Sequence, residues 1–145
     1  MDHVVYLDAA AKELDLLLSG QKTMIIRGAT GRKLPYGRVA QGDVLYFINN
    51  NAEGLVRAWA RVTNVLNSEK LSADESAALV ARHQQRLRLT GKQTAHWAGK
   101  RYLVLIEVVD VAALEPFPID KSAFGNMDDW LAVGQIEKVR LQRSE

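Results

Sequence analysis

The chain has 145 residues, the usual size of one domain and enough to enclose a hydrophobic core. Apolar residues make up 48% and charged residues 25%, no apolar run approaches the ~20 residues of a bilayer span, and the start MDHVVYLDAA has no secretory pattern. These features predict a cytoplasmic globular protein. The absence of cysteine excludes disulfides, thiolate nucleophiles and sulfur-ligated zinc, while a formal charge of +2 identifies no partner by itself.

In chain order, His3 to Leu7 reads as a first strand. Asp8 is placed to cap a helix over Ala9–Ser19, with Ala10, Leu14, Leu17 and Leu18 on its apolar face and Lys12, Glu13 and Asp15 toward water. Gly20 supplies the left-handed residue that ends such helices. Lys22–Arg27 is the second strand, and period two puts Thr23, Ile25 and Arg27 on one face. GATGRKLPYGRVAQG then reads as a long loop, of the kind that often carries function.

Asp43–Ile48 is apolar on both faces, as a strand buried between layers would be. After the NNNAEG turn, Leu55–Leu66 pairs with it, pointing Val56, Ala58, Ala60 and Val62 one way and Arg57, Trp59 and Arg61 the other. Ser72-Ala-Asp-Glu75 is a capping box opening a helix toward Leu89, with Leu79, Val80, His83 and Leu87 as its buried stripe. Thr90–Gly99 suits a short helix, Tyr102–Val109 a strong strand, and the tail from Glu115 a last helix or strand.

Charge is segregated along the chain. Lys22, Arg27, Arg32, Lys33 and Arg38 lie between Ser19 and Gly42 with no acid among them, and residues 76–106 are likewise basic and acid-free. Acids follow: Glu107, Asp110, Glu115, Asp120, Asp128 and Asp129. Such basic stretches suit a polyanion.

The succession Gly20-x-Lys22-x-x-Ile25-x-Arg27, then Gly42-Asp43-Val44-Leu45-Tyr46-Phe47, then Trp97-Ala98-Gly99-Lys100 before a strand, resembles the ASCH domain of the PUA-like superfamily. The match runs over residues 3–110, which leaves 111–145 as a C-terminal extension of a single 1–145 domain. The resemblance implies an α+β fold: a small bent β-barrel with flanking helices and a polar cleft beside the Lys22–Arg27 strand. Val44, Phe47, Val62, Leu105 and Ile106 are then expected in one barrel core. In the superfamily that cleft is associated with RNA, nucleotides or modified bases.

One departure matters. Family members usually carry Glu where this chain has Ile25, on the same strand face as Arg27. Without that neighbour, a desolvated Arg27 must find another carboxylate, backbone carbonyls or a ligand anion. An amidohydrolase branch acting on acetylated cytidine carries threonine at the same position. Thr23 is two residues away, about 6.6 Å along the strand, too far to replace a nucleophile that must approach within ~3.5 Å.

The expected function is therefore a nucleic-acid or nucleotide-binding module. Lys22 and Arg27 would bind phosphate, Thr23 and Asn49 would hydrogen-bond, Trp59 would stack a base, and Arg32, Lys33 and Arg38 would attract a polyanion. The alternatives are a small hydrolase in the same cleft, a ribonuclease or an amidohydrolase with Lys22 and Thr23 as candidate catalytic groups, and a protein-interaction module. RNA, DNA and free nucleotide all stay open as ligands, as does the oligomeric state. His96, beside Trp97 in the second basic stretch, could contact a phosphate or base; His83 suits the edge of the core, and His3 has no partner in sequence. GATGRK lacks the spacing and following helix of a phosphate-cradling loop. No metal, cofactor or membrane partner is expected.

Overall fold

The computed structural model of the chain describes residues 1–125 and 129–141; Asp128, counted above among the acids of the tail, lies outside them. Six strands form one sheet: β1 (Asp2–Leu7), β2 (Met24–Ala29), β3 (Val44–Asn49), β4 (Leu55–Asn67), β5 (Tyr102–Pro118) and β6 (Trp130–Gly134). Their order is β2-β5-β4-β3-β1-β6. β1 and β3 run parallel and the other neighbours antiparallel.

The sheet curls because β5 changes partners along its length. Its first residues pair with β2, and most of its length runs along β4, where the register shifts at three places. Each shift adds local twist, and Asp110 takes a left-handed φ of 58° within the bent strand. The sequence pattern captured only Tyr102–Val109 because Asp110 and Glu115 interrupt the apolar residues that follow and prolines stand at 116 and 118, while most of the stretch is half-buried or exposed.

Apolar side chains sort by strand alternation into three clusters. Ile25, Phe47, Val62, Ile106 and Trp130 fill the inside of the curl with Leu14 and Leu17. Met24, Ile26, Leu103 and Leu105 face the helices, and Val4, Tyr46, Ile48 and Phe117 pack on the β6 side. The expected five-residue core is thus corrected. Leu105 adjoins Ile106 and must point to the opposite face, and half-buried Val44 packs against the β6-side cluster.

The helices also differ from expectation at their starts. α1 spans only Glu13–Leu18, preceded by Lys12 at a left-handed φ of 55°. Asp8 caps a turn instead, its Oδ1 accepting from the Ala11 amide at 3.1 Å. Leu14 and Leu17 are buried as expected, but Leu18 is exposed and Glu13 turns inward. Gly20 takes the left-handed conformation at φ 81°. β2 begins at Met24 rather than Lys22, because the Lys22 and Thr23 amides donate to Leu16 and Arg86 on the helical side.

The Ser72–Glu75 capping box opens α2 (Ala73–Arg82) as expected. A break at His83 then separates α3 (Gln84–Leu87), and a second capping box, Thr90 with Gln93, opens α4 (Gly91–Trp97). The tail supplies edge strand β6, which pairs with β1. Among the described residues no helix is long and apolar enough to cross a membrane.

Candidate functional site

The curl leaves its two edge strands, β2 and β6, facing each other beside α4, and a cleft opens between them. It has two compartments, of about 260 Å³ and about 510 Å³, with Arg27, His96, Trp97 and Asp129 as their common wall. The smaller is closed by Tyr6, Asp8, Glu13, Asn50, Lys92 and Gln93. The larger runs along the 28–36 segment, past Lys33, Tyr36, Lys100 and Tyr102. Gly28 is required there, since a Cβ would meet Leu103 Cδ2 at 2.7 Å.

Arg27 is the centre of the arrangement. Its Nη1 donates to the Ile26 carbonyl and its Nη2 to the Tyr6 carbonyl, both at 2.7 Å. Its Cζ lies 5.8 Å from the Trp97 ring centre and 5.7 Å from that of Trp130, within cation–π range. Nε is 3.1 Å from Asp129 Oδ2, close enough for an ion pair. The alignment falls short of a hydrogen bond, so Nε has no hydrogen-bond partner among the described residues. The carboxylate absent at Ile25 is therefore supplied from the far end of the sheet, while Ile25 itself is fully buried in the core.

Lys22 has a different fate from the one expected. It is only 1% exposed, donates from Nζ to the Leu87 carbonyl at 2.5 Å, and lies 3.5 Å from Glu13 Oε2. Burial pulls its pKa below the usual lysine range, with Glu13 opposing the shift. Lys22 does not line the cleft; its partner Glu13 does, and Glu13 Oε1 also accepts from the Asp8 amide at 2.9 Å.

The remaining expected residues divide. Lys33 lines the larger compartment, and Arg32 sits 5.7 Å and 5.6 Å from the rings of Tyr36 and Tyr102 behind it. Arg38 is exposed outside the cleft, and Thr23 is half-buried just before β2 and lines neither compartment. Asn50, rather than Asn49, reaches the cleft wall, its Oδ1 accepting from the Ala9 amide at 2.9 Å. Trp59 is 41% exposed but lies on another face beside Val44, Arg61 and Asp110, and its neighbour Arg57 is tied to Glu53. His96 lines both compartments and packs edge-on against Trp97 at 4.4 Å.

Tyr6, Asp8, Glu13, Gln93, Asp129 and Trp130 were not readable as site residues. Only the Thr90-x-x-Gln93 cap had a local signature. Asp129 and Trp130 meet Arg27 because β6 returns to the sheet edge, a contact without sequence periodicity.

A second buried network lies behind Trp130. Its indole Nε1 donates to His3 Nδ1 at 3.0 Å, and His3 Nε2 is 2.9 Å from Asp43 Oδ2. An indole N–H can only donate, so Nδ1 is the acceptor and Nε2 carries the proton. Burial lowers the His3 pKa, opposed by Asp43. Burial pushes Asp43 up, but His3, the Ala40 amide and the N-terminal ammonium together leave it below the usual carboxylate range. Among the described residues no three His, Cys, Asp or Glu side chains are grouped to hold a metal ion.

No protein-family model matches the chain, and no curated protein matches it in sequence. Solved structures do match its shape. The crystal structure of ASCH from Zymomonas mobilis aligns over 94% of this chain and 92% of that one, with TM-score 0.65 and 17% identity. A single-residue mutant of that protein aligns over 94% of both chains, with TM-score 0.66 and 16% identity. The chain has the ASCH fold. The α+β bent barrel expected from the Gly20–Arg27 and Gly42–Phe47 motifs is the one observed, with Ile25 and Arg27 of the first motif on β2 and Val44–Phe47 of the second on β3.

Proposed function

We propose that the chain binds the phosphates of RNA or a nucleotide in the cleft between β2 and β6. The observation that carries this reading is Arg27: a buried guanidinium, fixed by two carbonyls, at the wall common to both compartments. A cation already desolvated and oriented loses little more on meeting an oxyanion, and guanidinium geometry suits phosphate. Lys33, Lys92 and Lys100 add positive charge around it, and Trp97, Tyr36 and Tyr102 offer ring surfaces for a base. In this reading Lys22 supports the wall through Glu13, and Trp59 takes no part.

Titration of short single-stranded RNA, DNA and nucleotides at low and moderate salt tests the reading. Binding should weaken steeply as salt rises, and Arg27→Ala should abolish it. If none of these ligands binds at low salt, the cleft is not a phosphate site and a protein-interaction module becomes the better account.

One observation favours hydrolysis as a second reading. Lys22 sits behind Glu13, a residue of the smaller compartment's wall, with Nζ 3.5 Å from Glu13 Oε2. Glu13 is the member of that pair placed to act as a base on a bound ligand. An acylated cytidine incubated with the protein should then be deacylated, and Glu13→Gln should stop the reaction. No turnover above the buffer rate removes this reading.

A further inference from the structure

Arg27 and Asp129 come from the two edges of the sheet and meet at the wall between the compartments, in unequal surroundings. The Arg27 side chain is 7% exposed and anchored by Tyr6 and Ile26, whereas the Asp129 side chain is 56% exposed and 3.1 Å from Nε. No aligned hydrogen bond holds the two together. A desolvated cation is strongly stabilised by an adjacent anion. A carboxylate half in water gains little from the pairing. The position beside Nε therefore calls for an anion without fixing which anion fills it.

We propose that Asp129 is an internal stand-in for the ligand's phosphate, filling the anion seat at Arg27 in the empty protein and yielding it when a phosphate monoester enters. This rests on the reading of the cleft as a phosphate site and adds the ligand class and its control. A monoester carries about −1.5 to −2 charges at pH 7, against the single charge of the carboxylate or of an internal phosphodiester. It is the oxyanion best able to displace Asp129. An unphosphorylated nucleoside has nothing with which to do so. The cleft thereby favours a free nucleotide or a phosphorylated RNA end over uninterrupted backbone.

The seat also has room for exchange. Asp129 belongs to the wall of both compartments and its side chain is 56% exposed, so a carboxylate swung off Nε has the cleft to move into. Nη1 and Nη2 each keep a second N–H beyond those given to the carbonyls, so the guanidinium retains donors besides Nε.

The test compares wild type with Asp129→Asn, which keeps the side chain's size and removes its charge. Calorimetric titration at low salt would use uridine, its 5′-monophosphate, and a hexaribonucleotide with and without a 5′-phosphate. Asp129→Asn should bind the monophosphate about twofold to fivefold tighter than wild type, the worth of one partly exposed charge pair, and bind uridine no differently. Wild type should prefer the 5′-phosphorylated hexamer. If wild type binds these ligands while Asp129→Asn leaves the affinity unchanged and the 5′-phosphate adds nothing, the seat exchange is wrong and the phosphate cleft stands. If no phosphate probe binds either protein, both fall. Should Asp129→Asn melt too low to titrate, a crystal of wild type with the monophosphate decides: phosphate beside Nε with Asp129 displaced supports the exchange, and Asp129 still on Nε overturns it.

Discussion

Lys22 and Arg27 bound the same short stretch of chain, both are nearly buried, and each lies beside one carboxylate. The two pairs nevertheless do different work. Glu13 reaches the wall of the smaller compartment but is only 8% exposed and completes a nearly buried pair with Lys22, whereas Asp129 is 56% exposed and leaves Arg27 open toward the cleft. Burial of the anion, rather than of the cation, decides whether a buried charge pair is a structural tie or a site that a ligand can enter.

The comparison is most easily broken at the nearly buried pair. Glu13→Ala strands a buried ammonium and should lower unfolding free energy by about 3–5 kcal/mol in urea melts. The double variant Glu13→Gln/Lys22→Met, which removes both charges at similar volume, should recover most of that loss. Equal losses in single and double variants would show that Lys22 and Glu13 do not act as a pair.

Arg27→Lys probes the open pair with a somewhat smaller effect. Lysine cannot span the Tyr6 and Ile26 carbonyls as the guanidinium does, so stability should fall by about 1.5–3 kcal/mol. Nucleotide affinity should fall with it, by more than tenfold. A variant that is destabilised but binds as wild type would move the phosphate contact away from Arg27.

Trp130, whose ring flanks Arg27, makes the open side sensitive to pH through His3. Protonation must occur at Nδ1, where it sets an N–H against the indole N–H and breaks that bond. Because the folded pKa lies below the ordinary 6.5, this contribution is complete above pH 6.5 and is lost as pH falls from there through the folded value. Asp43 adds a loss of the same sign at lower pH, below its ordinary 3.8. Stability measured from pH 7 to pH 5 should decline in wild type and decline less in His3→Gln. His83 is also shifted down, chiefly by burial, and His83→Gln isolates its share. Identical slopes in wild type and His3→Gln would remove His3 from the account.

How much of this could be read from the chain follows from where each signal lies. Strand alternation, the Ser72–Glu75 cap and the Gly42–Phe47 motif are local, and they led to the right fold. The Ile25 departure was also informative, since it posed the question of what Arg27 pairs with. Its answer was not legible, because Asp129 and the Tyr6 carbonyl reach Arg27 only through the closing of the sheet. Glu13 was misplaced for a related reason. Helical periodicity assumed a helix from Ala9, but the left-handed Lys12 rotates Glu13 inward to meet Lys22.

The smallest expected effect separates two loop cations that the sequence treats alike. Lys33 and Arg38 are both exposed and five residues apart in one acid-free stretch. Lys33 lines the larger compartment, and Arg38 lies outside the cleft. Neither makes a buried contact, so replacing either by alanine should change stability by no more than about 0.5 kcal/mol. Their effects on binding should diverge. A lysine that neutralises a bound phosphate contributes about one unit to the slope of log affinity against log salt. Lys33→Ala should flatten that slope by about that amount for every RNA sequence, with Arg38→Ala close to wild type. Equal flattening in both variants would mean that the loop acts as a diffuse positive surface. The larger compartment would then lose its claim to the phosphate chain, and Arg27 would remain the anchored cation of the site.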